Sequence, residues 1–247
     1  MNPIEIQTAD GICRAFLFRP AGTGPWPGVL MYMDALAIRP AMFEIAETLS
    51  GYGYVVLLPD LFWRSGPYAP LDPRVVLADP QSRQKTFGKW MAENTPAKVM
   101  ADTRAFIDCL HAQPDVKAGG IGTTGYCMGG LMSLTAAGTY PDEIAACASY
   151  HAGNLATDDP ASPHRLAPKI RARVYVAGAI EDKSFPDDMK ARLESALRDA
   201  GVDHRVETYQ ARHGWTPRDM PVHDAAATER HWQSLIALFD ATLKTGS

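Results

Sequence analysis

Residues 122–130 read Gly-Thr-Thr-Gly-Tyr-Cys-Met-Gly-Gly. An apolar, small-residue run beginning at Ala118 leads into them and reads as a buried strand. Leu131-Met-Ser-Leu-Thr-Ala-Ala-Gly follows and reads as a helix. Between the two lies Gly125-Tyr126-Cys127-Met128-Gly129, which is the Gly-x-Ser-x-Gly nucleophile elbow with cysteine in place of serine. The spacing has a steric cause. A turn this sharp leaves almost no room two residues either side of the nucleophile, and glycine, lacking a Cβ, allows the approach. Cys127 would then sit strained at a helix N-terminus, where the positive end of the helix favours thiolate over thiol.

Working outward, the rest of the chain alternates strands and helices. Residues 4–18 read as a hairpin turning at Ala9-Asp-Gly. Gly28-Val-Leu-Met-Tyr-Met and Tyr54-Val-Val-Leu-Leu-Pro are continuous apolar runs, as in strands covered on both faces. Between them Ala41 to Leu49 is amphipathic. Residues 60–80 hold several prolines and little periodicity, and we expect a long functional loop there. Gln81 to Met91 is a short helix, and Thr95-Pro-Ala opens a longer one, with Thr95 as N-cap, running to about Gln113. Beyond the elbow, strands are expected at Ile144 to Tyr150, Ala172 to Ala177 and Arg205 to Tyr209. A helix within Phe185 to Ala200 ends at Gly201, and Ala225 to Leu243 forms a closing amphipathic helix. Such alternation implies a mostly parallel sheet with helices on both faces, in one domain spanning residues 1–247.

Composition narrows the function classes. The chain has 247 residues, is 46% hydrophobic and carries a formal net charge of −4, with no basic patch of the kind nucleic acid requires. The four cysteines, Cys13, Cys109, Cys127 and Cys147, make no Cys-x-x-Cys pair, which suits reduced thiols in a cytosol. We find neither a signal-peptide pattern at the N-terminus nor an apolar run of membrane-spanning length. No motif for a nucleotide or a metal occurs, so neither cofactor nor metal is expected.

An elbow cysteine needs a base, and the base an orienting group. After the strand Val174-Tyr-Val-Ala-Gly comes Ala179-Ile-Glu-Asp-Lys, which places Asp182 past a carboxyl strand end, where open α/β sheets build their sites. Glu181 is the competing carboxylate. After Val206-Glu-Thr-Tyr comes Gln210-Ala-Arg-His-Gly-Trp, which offers His213 as the base. Cys127, Asp182 and His213 fall in the chain order nucleophile, acid, histidine.

With these residues in place the chain resembles the dienelactone hydrolase family, a branch of the α/β-hydrolases with a Cys-His-Asp triad. The resemblance is carried by Gly125-Tyr-Cys-Met-Gly-Gly, Gly178-Ala-Ile-Glu-Asp and His213-Gly-Trp. Pro59-Asp-Leu-Phe-Trp-Arg and the tail from Pro221 to Trp232 add to it. It implies an α/β-hydrolase fold with a mostly parallel sheet of about eight strands and no separate lid domain. It also implies a carboxylate that gates the thiol, here Asp34, where the family more often has glutamate. The oxyanion hole falls on the backbone amides of Ala35 and Met128. Two arginines that hold a substrate carboxylate map to Arg83 and, one residue out of register, Arg218. Trp63 and Trp215 are candidates for lining the pocket, and His151 either faces the cleft or only satisfies the backbone.

The expected function is hydrolysis of a small-molecule ester or lactone through an acyl-cysteine, of the carboxymethylenebutenolidase type. The expected protein is cytoplasmic, a monomer or small homo-oligomer, and binds no nucleic acid or membrane. The rival readings are a general carboxylesterase or thioesterase, and beyond these a redox-sensing or non-catalytic binding protein.

Overall fold

The computed structural model describes residues 2–244, except for the side chains of Pro80, Ser82, Arg83 and Thr86. One eight-stranded sheet runs through it. The hairpin β1 (Asn2–Thr8) and β2 (Gly11–Phe18) forms one edge. β3 (Gly28–Tyr32), β4 (Val55–Pro59), β5 (Ile121–Tyr126), β6 (Ile144–Tyr150), β7 (Arg173–Ala179) and β8 (His204–Tyr209) follow in sequence. In space the order is β1-β2-β4-β3-β5-β6-β7-β8. β1 with β2 and β2 with β4 pair antiparallel, and the other five pairings are parallel. This is the α/β-hydrolase architecture expected from the alternating pattern. β3, β4 and β5 are buried along their whole length, which is why they read as unbroken apolar or small-residue runs rather than as alternating ones.

Among the described residues seven α-helices flank the strands or follow them: α1 (Pro40–Gly51), α2 (Pro73–Ala78), α3 (Pro80–Glu93), α4 (Pro96–His111), α5 (Met128–Thr139), α6 (Asp187–Asp199) and, after the last strand, α7 (Ala225–Phe239). Their starts follow local chemistry. α4 has Pro96 in its first turn, and the Thr95 hydroxyl accepts from the Lys98 amide. At α7 the Asp224 carboxylate accepts from the Ala227 amide at 2.8 Å. One expectation needs correcting. Residues 60–80 are not a bare loop, because a short helical turn at Trp63–Ser65 and α2 occupy part of it. The Asp72 carboxylate caps α2 by accepting from the Arg74 amide. Trp90 of α3 packs on Phe62 and Tyr68 at ring-centroid distances of 4.8 and 4.9 Å, which ties the end of α3 to the segment that follows β4.

Winding reverses at β3, since β4 lies on one side of it and β5 on the other. Tyr32 and Gly125 are paired across β3 and β5, so the segments after the two strands leave the sheet side by side. That crevice at the carboxyl ends is where an open α/β sheet places its ligand.

Candidate active site

The turn from β5 into α5 is set by two glycines. A Cβ on Gly125 would lie 2.0 Å from the Gly129 carbonyl oxygen, and one on Gly129 would lie 2.3 Å from the Tyr32 carbonyl oxygen. Only hydrogen fits at either position. The residue between them pays conformationally, because Cys127 has φ 53° and ψ −117°, a region rarely held by a side-chain-bearing residue. Its amide is not orphaned by the strain. It donates to the Tyr150 carbonyl oxygen at 3.0 Å and to His151 Nδ1 at 3.2 Å. Cys127 directly precedes α5, so its sulfur lies at the positive end of that helix.

His213 follows β8 and Asp182 follows β7. His213 Nδ1 and Asp182 Oδ2 are 2.7 Å apart. The other carboxylate oxygen accepts from the Ser184 hydroxyl at 2.6 Å and from the Ser184 amide at 2.9 Å. Burial alone would raise the Asp182 pKa. The hydrogen bonds from His213 and Ser184 outweigh it and hold the group at about 2. Burial would likewise lower His213, but hydrogen bonds to Asp182 and Cys127, and the charges on both, push it up to about 10. With Nδ1 committed to Asp182, the imidazole has Nε2 left for the thiol.

Cys127, His213, Ala35 and Met128 share one cleft of about 410 Å³ with Met91, Asn94, Pro96, Leu131, Met132, Gly153, Asn154 and Ser184. Met128 is the first residue of α5, so its amide has no acceptor within the helix. The lining is mainly aliphatic and thioether carbon. Among the described residues it includes no lysine or arginine.

Several expected site residues lie elsewhere. Asp34 does not stand over the thiol with a free carboxylate. Arg39 Nη1 and Nη2 hold its two oxygens at 2.6 and 2.9 Å, and the Leu36 amide adds a bond at 2.9 Å. Nor does Asp34 cap α1, whose N-cap is Arg39 with no side-chain cap bond. Arg218 is exposed and lines a separate groove with Glu44, Thr48 and Trp232. Trp63 is turned away, its indole N–H donating to Asp102 at 3.1 Å while its ring packs over the hairpin turn at Gly11. Trp215 is fully buried, stacked on Tyr209 and edge-on to His151, so it backs the site rather than lining it. Arg83 falls in α3, and its side chain lies outside the described residues.

One contributor, Ser184, was not assigned from sequence, and His151, left there between facing the cleft and satisfying the backbone, takes the second role by accepting from the Cys127 amide. Ser184 fixes the second oxygen of Asp182, and the Asp-x-Ser spacing of a side-chain-capped turn was the available signal. His151 is wholly buried with φ 39°, and its ring centroid is 5.5 Å from that of His213. Burial first, then the nearby His213 and His231, push its pKa well below 6.5, so it stays neutral with Nδ1 as acceptor for the Cys127 amide. It supports the Cys127 backbone and carries no charge into the cleft.

The sheet, the elbow and the cleft define an α/β-hydrolase. The sequence model of the dienelactone hydrolase family matches residues 13–243, and the chain belongs to that family, which makes it a carboxylic ester hydrolase. It is 31% identical over 140 residues to the carboxymethylenebutenolidase of Pseudomonas putida, covering 56% of this chain and 57% of the relative. It is 25% identical over 234 residues to a candidate carboxymethylenebutenolidase of Synechocystis, covering 93% and 92%. Among solved structures, a candidate dienelactone hydrolase from Klebsiella pneumoniae superposes with a TM-score of 0.83 at 20% identity, over 96% of this chain and 97% of the other. No helix among the described residues is long and apolar enough to cross a membrane.

Proposed function

We propose that the protein hydrolyses uncharged carboxylic esters or lactones with Cys127 as nucleophile, His213 as proton carrier and Asp182 as its orienting carboxylate. One observation carries this reading. Cys127, at the strained N-terminus of α5, shares one cleft with His213, whose Nδ1 lies 2.7 Å from Asp182 and whose remaining nitrogen is free to exchange a proton with the sulfur. The thiolate attacks the ester carbonyl and forms a C–S bond, and the charge on oxygen is met by the amides of Ala35 and Met128. As the C–O bond breaks, His213 gives its proton to the departing alkoxide. Acylation removes the thiolate that supported the imidazolium, so the neutral imidazole can now take a proton from water. That water attacks the thioester, the C–S bond breaks, and the thiolate re-forms.

The aliphatic cleft favours an apolar acyl group, which brings a general carboxylesterase close behind an enol-lactone hydrolase. A panel of enol lactones, aryl esters and thioesters ranked by kcat/KM separates them. Intact-protein mass spectrometry after p-nitrophenyl acetate should show an acetyl adduct that Cys127→Ala lacks. An adduct on another residue, or hydrolysis that survives Cys127→Ala, refutes the cysteine mechanism.

A further inference from the structure

The turn that carries Ala35 is gripped by one buried guanidinium. Arg39 is 1% exposed. Its Nη1 and Nη2 fork onto Asp34, and Nη1 also reaches the Ala37 carbonyl oxygen at 3.4 Å. Nε and Nη2 donate to Asp219 at 2.6 and 3.2 Å. These contacts occupy all five guanidinium N–H groups. Asp34 and Ala37, both held by Arg39, bracket Ala35. Ala37 has φ 68°, a strained value for a residue with a Cβ, and its amide returns to the Asp34 carbonyl oxygen at 3.2 Å. A turn under such strain persists only where its surroundings over-determine it.

We propose that Arg39 is a positioning residue for acyl transfer, holding the Asp34–Ala37 turn so that the Ala35 amide meets the developing oxyanion. The proposal rests on the reading of Ala35 as an oxyanion donor. Stability alone does not explain the cluster, because burying charges costs several kcal/mol that apolar packing avoids. What apolar packing lacks is direction, and a two-pronged guanidinium fork supplies it. Asp219 anchors the far side of the guanidinium, six residues beyond His213. His213 itself is held independently by Asp182. Loosening Arg39 should therefore disturb the oxyanion donor and spare the thiolate–imidazole pair.

Two reactions of Cys127 separate these effects. Acylation by p-nitrophenyl acetate develops an oxyanion, whereas alkylation by iodoacetamide is a displacement at a saturated carbon and develops none. In Arg39→Lys, single-turnover acylation should slow about 10- to 100-fold while alkylation stays within about twofold. Asp219→Asn keeps the fork onto Asp34 and loses only the anchor, so it should show a smaller fall in acylation alone. It decides the question if Arg39→Lys does not fold. Both rates are measured well below each variant's thermal midpoint. An unchanged ratio of acylation to alkylation in the variants overturns the proposal. Acylation that persists in Cys127→Ala would show instead that the underlying cysteine reading has failed.

Discussion

Replacing Asp182 with asparagine tests the charge logic of the site. The substitution keeps shape and removes the carboxylate that sits 2.7 Å from His213 Nδ1. The Asp182 pKa falls from 3.8 to about 2, which corresponds to roughly 2 kcal/mol of stabilisation shared between its His213 and Ser184 bonds. The rise at His213 is larger because Cys127 adds to it, so the smaller figure bounds the pair. The sign follows from linkage. A raised histidine contributes fully below its unfolded value of 6.5 and is lost as pH climbs to about 10. A lowered carboxylate contributes fully above 3.8 and is lost as pH falls to about 2. The thermal-midpoint gap between the parent and Asp182→Asn should therefore be widest from pH 3.8 to 6.5 and narrow above and below that window. Activity should fall about 10³- to 10⁴-fold, since the ring loses both its orientation and its proton affinity. Calorimetry across pH 3 to 10, set beside kcat/KM for p-nitrophenyl acetate, is the assay. A gap of equal size at pH 5 and pH 10, or a loss of activity under tenfold, refutes the reasoning.

The remaining expectations concern single contacts. Gly129→Ala drives a Cβ to 2.3 Å from the Tyr32 carbonyl oxygen and should destabilise by more than about 3 kcal/mol, measured by urea unfolding; a loss under 1 kcal/mol would contradict the packing. Ser184→Ala removes the 2.6 Å bond to Asp182 but leaves the Ser184 amide in place, so kcat should drop roughly tenfold with KM little changed, and threonine should restore most of it. Arg218→Ala, on an exposed groove away from the cleft, should leave KM for a carboxylate-bearing ester within about twofold; a large rise would return that arginine to substrate binding.

What could be read from the sequence divides along physical lines. Strand runs, helix caps and the elbow glycines are local facts, and each is written within a few residues of where it acts. A Cβ on Gly125 would clash with the Gly129 backbone four residues on, whereas one on Gly129 would meet the Tyr32 carbonyl oxygen of β3, a distant contact that the motif's spacing nevertheless announces. The placements after β5, β7 and β8 were legible for the same reason, because parallel topology sends every carboxyl strand end to one edge. α2 was missed because six residues between prolines give too short a pattern to show periodicity.

Side-chain destinations across the fold were not legible, and Asp34 shows why. The family resemblance, not its own surroundings, suggested it as a residue near the thiol. Its partner depends on Arg39 lying five residues on and on Asp219 arriving from 180 residues beyond Arg39. A carboxylate clamped by a buried guanidinium gains little by moving, since freeing it strands a positive charge in the interior. It is therefore a poor candidate to swing toward a sulfur in response to substrate. The consequence reaches the choice of substrate. On the proposed mechanism Cys127 needs no substrate charge to release it from Asp34, and the cleft offers no cation among its described residues to bind one. Both features point to neutral esters, and the same guanidinium that withdraws Asp34 from the thiol also braces the turn bearing Ala35.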